Sequence, residues 1–218
     1  GLHVCCDHPQ VPEDESNLVI KAAGQFYEAV GIKGMAADQN LSITIVKKIP
    51  PGGGLGGGSS NAAQTLKVLN AHYNCPMTTD ELAEIGLSQG ADVPFFIYDR
   101  PAVAGGVGEK LDFVDRLRPY HFILCDPGIP ASTVEVYKNI DLRLTFAGKD
   151  NIRTGLNMPI RGQEFDAADC LYNDLEESAY RLYPGIMKVK EEMTSVLNKP
   201  VFMTGSGSSL FALYSEPK

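Results

Sequence analysis

The chain has 218 residues, of which 44% are hydrophobic and 21% charged, as in a globular protein with one large domain or two modest ones. Its 19 basic and 27 acidic residues give a net charge of −8, which argues against a nucleic acid or an anionic membrane as partner. This charge does not exclude a small anionic ligand, because a few backbone amides can bind one.

In the first half, apolar spacing and turn residues predict six elements. In chain order they are a strand end at 4–6, a helix capped by Ser16 and ended by Gly31 and Gly34, and a strand over 41–49. They continue with a helix carrying Ala62, Leu66 and Leu69 on one face and ending near Asn70, a helix begun by the capping box Thr78-x-x-Glu81, and a turn into a buried strand over 90–98.

In the second half we predict strands over 121–125, 201–203 and 210–214, and helices over 132–138, 169–183 and 186–197. Residues 145–165 are polar and predict a long loop. Strands and helices are mixed without regular alternation, which indicates the α+β class. A change of domain is expected near residues 112–120.

The five cysteines are odd in number and show no CxxC spacing, so we expect a reducing cytosol and no disulfide framework. The run from Cys5 to His8 is not predicted to bind a metal. Adjacent cysteines do not easily share one tetrahedral site, and no second pair of ligands follows.

The most specific feature is the segment PPGGGLGGGSS at 50–60, with six glycines in the seven positions 52–58. A strand, a glycine loop and a helix in this order suit phosphate binding, since glycines allow close backbone approach and the helix start offers unpaired N–H groups. The P-loop is rejected because Ser59 stands where its lysine is required. The dinucleotide pattern matches at Gly52, Gly54 and Gly57, but the acid it needs about 20 residues later is absent from the end of a strand.

This loop resembles the second motif of the GHMP kinase superfamily, and GLGGGSS resembles the 4-diphosphocytidyl-2-C-methyl-D-erythritol kinase family within it. Similar stretches occur in the same order along nearly the whole chain. They are SNLVIKAA (16–23), GADVPFF (90–96), GGVGEKL (105–111), CDPGIPASTVEVYK (125–138), NDLE (173–176) and TGSGSSLFALY (204–214).

The resemblance implies a two-domain GHMP kinase fold, with an ATP-binding domain over 1–115, similar to domain 2 of ribosomal protein S5, and a ferredoxin-like domain over 116–218. It implies ATP-dependent phosphorylation of the C2 hydroxyl of 4-diphosphocytidyl-2-C-methyl-D-erythritol, in the non-mevalonate isoprenoid pathway. Asp92 is then the catalytic carboxylate, and Mg²⁺ accompanies ATP without a dedicated protein site. The implied phosphate site consists of Pro50, Pro51, Gly52, Gly53, Gly54, Leu55, Gly56, Gly57, Gly58, Ser59 and Ser60.

The sequence does not assign a role to several other polar residues. Lys47 and Lys48 end the preceding strand; they either help to attract nucleotide or, in the interpretation favoured here, are solvated charges. Residues 205–209 are expected near the phosphates or the acceptor, while Asn173 and Asp174 either lie close to the site or only start a helix.

The chain departs from the family at both ends. No segment resembles the first motif, P-A-K-x-N-L, whose lysine helps catalysis, and relatives continue beyond the last strand. We therefore expect an incomplete fold, impaired catalysis and exposed sheet edges prone to association. Another GHMP kinase, acting on homoserine, mevalonate or a sugar, and a non-catalytic nucleotide-binding remnant are the alternatives. A small-molecule substrate, a monomer or homodimer, and a cytoplasmic location (or a plastid, if a transit peptide was removed) complete the expectations.

Overall fold

The computed structural model describes residues 1–31, 40–140 and 164–216. The chain forms two compact units, one made of Gly1–Pro51 and Gly56–Phe113, the other of Gly52–Leu55 and Val114–Lys218. Mixed helices and strands confirm the α+β class. None of the helices in these described ranges is both long and apolar enough to cross a membrane.

Among its described residues, the first unit contains a parallel strand pair, four helices and a hairpin. Its elements are β1 (Leu2–Cys6), α1 (Leu18–Ala29), β2 (Leu41–Ile45), α2 (Gly57–His72), α3 (Thr79–Gln89), α4 (Val93–Tyr98), β3 (Ala102–Gly105) and β4 (Lys110–Phe113). Strands β1 and β2 pair in parallel, and β3 and β4 pair antiparallel.

Helix α1 connects the two parallel strands, and its start differs from the prediction. Asn17, not Ser16, is the N-cap and accepts from the Val19 amide at 3.1 Å. Ser16 is unavailable because its hydroxyl and its backbone amide both donate to Asp14. The helix ends before Gly31, which has φ +73°, as the sequence predicted; Gly34 lies outside the described residues.

Strand β2 is shorter than the predicted 41–49. It ends at Ile45, and two residues later the Lys47 amide donates to the Asp7 carboxylate at 2.7 Å instead of continuing a ladder. This side-chain contact turns the chain away before it enters the glycine segment.

The core of the first unit lies between α1, α2 and α3. Phe26 and Leu66 are completely buried, and the predicted apolar face of α2, with Ala62 and Leu69, is confirmed. Helix α2 continues two residues beyond Asn70, whose buried amide instead bonds the backbone of Met77. The capping box of α3 is present as predicted.

The prediction of a buried strand within 90–98 is wrong, because Val93–Tyr98 is the helix α4. Val93, Pro94 and Ile97 are buried, and the separation of Val93 and Ile97 by four residues matches one helical turn. Pro94 suits the first turn, where its missing N–H breaks no helical hydrogen bond. Packing against α2 and α3 therefore overrides the β-propensity of the segment.

The second unit combines an antiparallel sheet with helices. Its elements are β5 (His121–Cys125), α5 (Thr133–Lys138), a 3₁₀ helix (Ala167–Cys170), α6 (Leu175–Leu182), α7 (Pro184–Leu197), β6 (Phe202–Met203) and β7 (Leu210–Tyr214). The strand order is β5-β7-β6. The core is centred on Val136, Ala179, Ile186 and Leu210.

One helix prediction in this unit is wrong in part. The expected helix over 169–183 is interrupted, with a 3₁₀ helix ending at Cys170 and α6 starting only at Leu175. The Asn173 side chain accepts from the Leu175 amide at 3.0 Å and so fixes the start of α6 after the break. The loop expected over 145–165 lies almost entirely outside the described residues.

Strand β5 pairs with β7 on one side, and the Phe122 side chain is 64% exposed. Association through exposed edges stays a prediction.

Candidate functional site

The glycine loop adopts a conformation that only glycine tolerates well. Gly52, Gly54 and Gly56 have φ of +71°, +72° and +64°, so every second residue lies in the left-handed region. Left-handed residues are typical of backbone concavities in which successive N–H groups point toward a bound anion. The geometry therefore supports the phosphate-binding interpretation of the loop.

Helix α2 starts immediately after this loop with its N–H groups uncapped. Gly56 is the N-cap and provides no side chain, and the first turn contains no acidic residue. Ser59 and Ser60 lie half-buried in that turn, and the Ser60 hydroxyl donates to the Gly57 carbonyl at 3.0 Å. Unpaired N–H groups and the positive end of a 16-residue helix form a suitable site for phosphate.

The Lys47 ammonium lies at the same helix start. Its Nζ is 2.8 Å from the position that a Cβ on Gly57 would occupy. A cation at the positive end of a helix is unfavourable unless an anion is bound between them. Lys47 is half-buried while Lys48 is exposed, so the interpretation of both as solvated charges does not describe Lys47. The sequence named Lys47 as a candidate for attracting nucleotide but favoured a solvated charge, and its strand-end position before the loop was the only signal.

The first glycines of the loop belong to the second unit and contact the segment 204–209 within it. The Gly53 carbonyl accepts from the Thr204 hydroxyl at 3.1 Å and from the Ser209 amide at 3.2 Å. A Cβ on Gly54 would stand 2.5 Å from the Thr204 carbonyl oxygen, so no larger residue fits there. The structure thus brings the segment 204–209 against Gly53 and Gly54 within the second unit, while its nearness to bound phosphates stays a prediction.

Asp92 is the residue before α4, and its carboxylate is exposed and does not cap the helix. Helix α4 packs against α2, and Phe96, one turn after Asp92, contacts Gly56 at the start of α2. The segment 105–111 adjoins Asp92, since a Cβ on Gly108 would lie 3.3 Å from the Cβ of Ala91.

The remaining predicted residues have simpler positions. Pro50 precedes the turn at Pro51 that enters the loop. Leu55 is part of the loop, and Gly58 is part of the first turn of α2. Among the residues whose positions are described, no group of three or more His, Cys, Asp or Glu side chains could hold a metal.

Comparison with known proteins agrees with these local features. Residues 17–100 match the family model of the GHMP kinases N terminal domain, and residues 161–218 match that of the GHMP kinases C terminal. A 4-diphosphocytidyl-2-C-methyl-D-erythritol kinase of Syntrophotalea carbinolica is 37% identical over 215 residues, covering 99% of this chain and 73% of that protein.

Solved structures show the same relationship. A crystal structure of 4-(cytidine 5'-diphospho)-2C-methyl-D-erythritol kinase has a TM-score of 0.75 at 35% identity, covering all of this chain and 74% of that one. A homoserine kinase of Cytophaga hutchinsonii has a TM-score of 0.68 at 20% identity, covering 99% of this chain and 73% of that one, and shows a likeness of fold alone.

Proposed function

Because this chain belongs to the GHMP kinases, and within them to the 4-diphosphocytidyl-2-C-methyl-D-erythritol kinase family, we propose a specific phosphoryl transfer for it. The reaction moves the γ-phosphoryl group of ATP to the C2 hydroxyl of 4-diphosphocytidyl-2-C-methyl-D-erythritol and supplies the non-mevalonate isoprenoid pathway. Residues 1–115 form the ATP-binding domain in this proposal, and residues 116–218 form the C-terminal domain.

One observation carries the proposal. The helix that begins after Asp92 packs against α2, and its Phe96 contacts Gly56. Gly56 lies at the N-terminus of α2, where the N–H groups are uncapped. The proposed catalytic carboxylate thus precedes a helix that contacts α2, the helix whose start we propose as the phosphate site. Phosphoryl transfer to an alcohol requires both a phosphate cradle and a nearby base that orients the acceptor hydroxyl.

The residues of the first unit have separate tasks in this reaction. The N–H groups at the start of α2 and the Lys47 ammonium hold phosphate oxygens and stabilise the charge that develops on them. Asp92 accepts a hydrogen bond from the acceptor hydroxyl and takes its proton as the new P–O bond forms. Leaving Asp92 exposed keeps its carboxylate accessible to substrate.

Mg²⁺ is also part of the proposal. The exposed Asp92 carboxylate and the hydroxyls of Ser59 and Ser60 are the oxygen donors that Mg²⁺ prefers when ATP phosphates supply most of its ligands. When bound, the ion offsets negative charge on the β- and γ-phosphate oxygens.

The test compares Asp92→Asn with the unchanged full chain in an assay of ADP release. The acceptors are 4-diphosphocytidyl-2-C-methyl-D-erythritol, homoserine, mevalonate and galactose. We expect turnover with the first acceptor and at least a hundredfold loss of kcat in Asp92→Asn, with the Kd for ATP changed less than about threefold. Asp99→Asn is the control, because Asp99 follows the same helix and is 84% exposed.

Three outcomes would contradict the proposal. Undiminished turnover in Asp92→Asn removes the catalytic role of that carboxylate. Preference for another acceptor identifies a different GHMP kinase, and ATP binding without turnover on any acceptor identifies a nucleotide-binding remnant.

Compartment and assembly belong to the same proposal. The bacterial relative supports a cytoplasmic location, and nothing comparable supports a plastid. A small-molecule substrate agrees with family membership, and we propose a monomer or a homodimer.

A further inference from the structure

The side chain of Asn173 uses all of its hydrogen-bonding groups around one loop and one helix start. Its amide nitrogen donates to the carbonyls of Met203, at 2.9 Å, and Gly205, at 2.8 Å. Its oxygen accepts from the Leu175 amide at 3.0 Å. One planar amide thus holds two carbonyls on either side of Thr204 at a fixed separation.

Glu176, in the first turn of α6, holds the same segment by a different group, the backbone amide of Met203. Its carboxylate accepts from the Met203 amide at 2.8 Å and from the Lys190 ammonium at 2.7 Å. Asn173 and Glu176 therefore bond the carbonyl and the amide of one residue, Met203. The backbone entering the loop has little freedom left to rotate.

This restrained loop contacts Gly53 and Gly54, the residues of the glycine loop that belong to the same unit. Thr204 and Ser209 both donate to the Gly53 carbonyl, and their own backbones are joined by a bond from the Thr204 amide to the Ser209 carbonyl at 2.9 Å. The Thr204 carbonyl also faces the α-carbon of Gly54. The loop 204–209 thus forms a template against which Gly53 and Gly54 are ordered.

We propose that Asn173 is a positioning residue: by bridging the Met203 and Gly205 carbonyls, it sets the loop 204–209 so that this loop holds Gly53 in its phosphate-binding conformation. The link to ATP rests on the function proposed above. The physical reason is entropic, since a glycine-rich segment loses the most backbone freedom when ordered, and an external template reduces that loss on ligand binding.

Asn173→Asp tests this role with a nearly isosteric change. The aspartate keeps an acceptor for the Leu175 amide, but its oxygens cannot donate and would face two carbonyls. Asn139→Asp is the matched control, because Asn139 ends α5 in the same unit and its side-chain amide donates to the Glu135 carbonyl, at 2.9 Å.

Two measurements on the full chain report the effect of Asn173→Asp. Hydrogen exchange of the Ser209 amide reports its bond to Gly53, and calorimetric titration reports the Kd for ATP. In Asn173→Asp we expect exchange at Ser209 to accelerate at least tenfold and the Kd to rise about tenfold, while amides of α7 keep their exchange rates. Asn139→Asp should change neither quantity by more than about twofold.

The outcomes distinguish the positioning role of Asn173 from the proposed kinase function. Unchanged exchange at Ser209 in Asn173→Asp, or equal acceleration across α7, shows a merely structural residue and overturns the proposal. If the unchanged chain fails to bind ATP, the proposed function is lost while the exchange at Ser209 still tests the positioning. If Asn173→Asp does not fold, Asn173→Ser replaces it, since serine is uncharged, can cap α6 and cannot bridge both carbonyls; it must show the same acceleration.

Discussion

The ring of Phe96 lies directly against the α-carbon of Gly56, so that a Cβ on Gly56 would stand 2.7 Å from the Cζ atom of the ring. Gly56 also has φ +64°, which side chains rarely tolerate. Both conditions exclude any larger residue at position 56. Glycine there allows the helix that follows Asp92 to approach the start of α2 closely.

Replacing Gly56 with alanine should therefore disturb both stability and the phosphate site. We expect a loss of about 2 kcal/mol in the free energy of unfolding, from left-handed strain and the clash with Phe96, and at least a tenfold rise in the Kd for ATP. Urea unfolding and calorimetric titration measure the two effects. Adding Phe96→Ala should relieve the clash but not the strain, so only part of the loss returns.

Gly24→Ala provides the control for that substitution. Gly24 is exposed within α1, and a Cβ there meets no atom within 4 Å. Alanine at this position should leave stability unchanged or raise it by up to about 1 kcal/mol. Unchanged ATP affinity in Gly56→Ala would show that the start of α2 does not bind the nucleotide.

Lys47→Ala should weaken ATP binding and slightly stabilise the unliganded chain. Removing the ammonium from the positive end of α2 relieves repulsion of about 0.3–1 kcal/mol. Losing a charge-assisted contact to phosphate should raise the Kd for ATP about tenfold. Thermal unfolding with and without ATP should show these opposite signs. The neighbouring Lys48 is exposed, so Lys48→Ala should have little effect; an equal effect of both substitutions would indicate only long-range attraction.

The first unit should lose stability at high pH because the buried Tyr27 phenol is deprotonated there. Burial, followed by the hydrogen bond with Tyr73, raises the pKa of Tyr27 from 10.0 to about 12. Because the folded state holds the phenol proton more tightly, this stabilisation is complete below pH 10 and is lost as the pH rises to about 12. The loss amounts to about 2–3 kcal/mol.

Tyr27→Phe should remove that part of the pH dependence. Urea midpoints at pH 8 and 11.5 should converge in the variant compared with the unchanged chain, even if its stability at pH 8 is lower. Burial also raises the pKa of Tyr180, in the second unit, so some alkaline loss remains. Tyr137→Phe is the control because Tyr137 is 59% exposed. An undiminished loss in Tyr27→Phe would contradict the assignment.

Features that depend on neighbouring residues could be predicted from the sequence. The capping box of Thr78 and Glu81 forms because its partners are three residues apart, and the apolar face of α2 follows from the spacing of Ala62, Leu66 and Leu69. The glycine loop was recognisable for the same reason, since left-handed positions and an uncapped helix start are properties of the local chain.

The tertiary structure decided what depends on distant partners. Val93–Tyr98 has the composition of a strand, yet packing against α2 and α3 makes it a helix. The Lys47 ammonium reaches Gly57 because Asp7, 40 residues away, binds the Lys47 amide and ends β2 early. From its neighbours in the sequence, Asn173 is predicted to be a helix cap. Its amide bridges the carbonyls of Met203 and Gly205 only because the chain returns to it at 203–205. Local patterns specify such donors and acceptors, but only the fold chooses their partners, because those contacts join residues far apart in the chain.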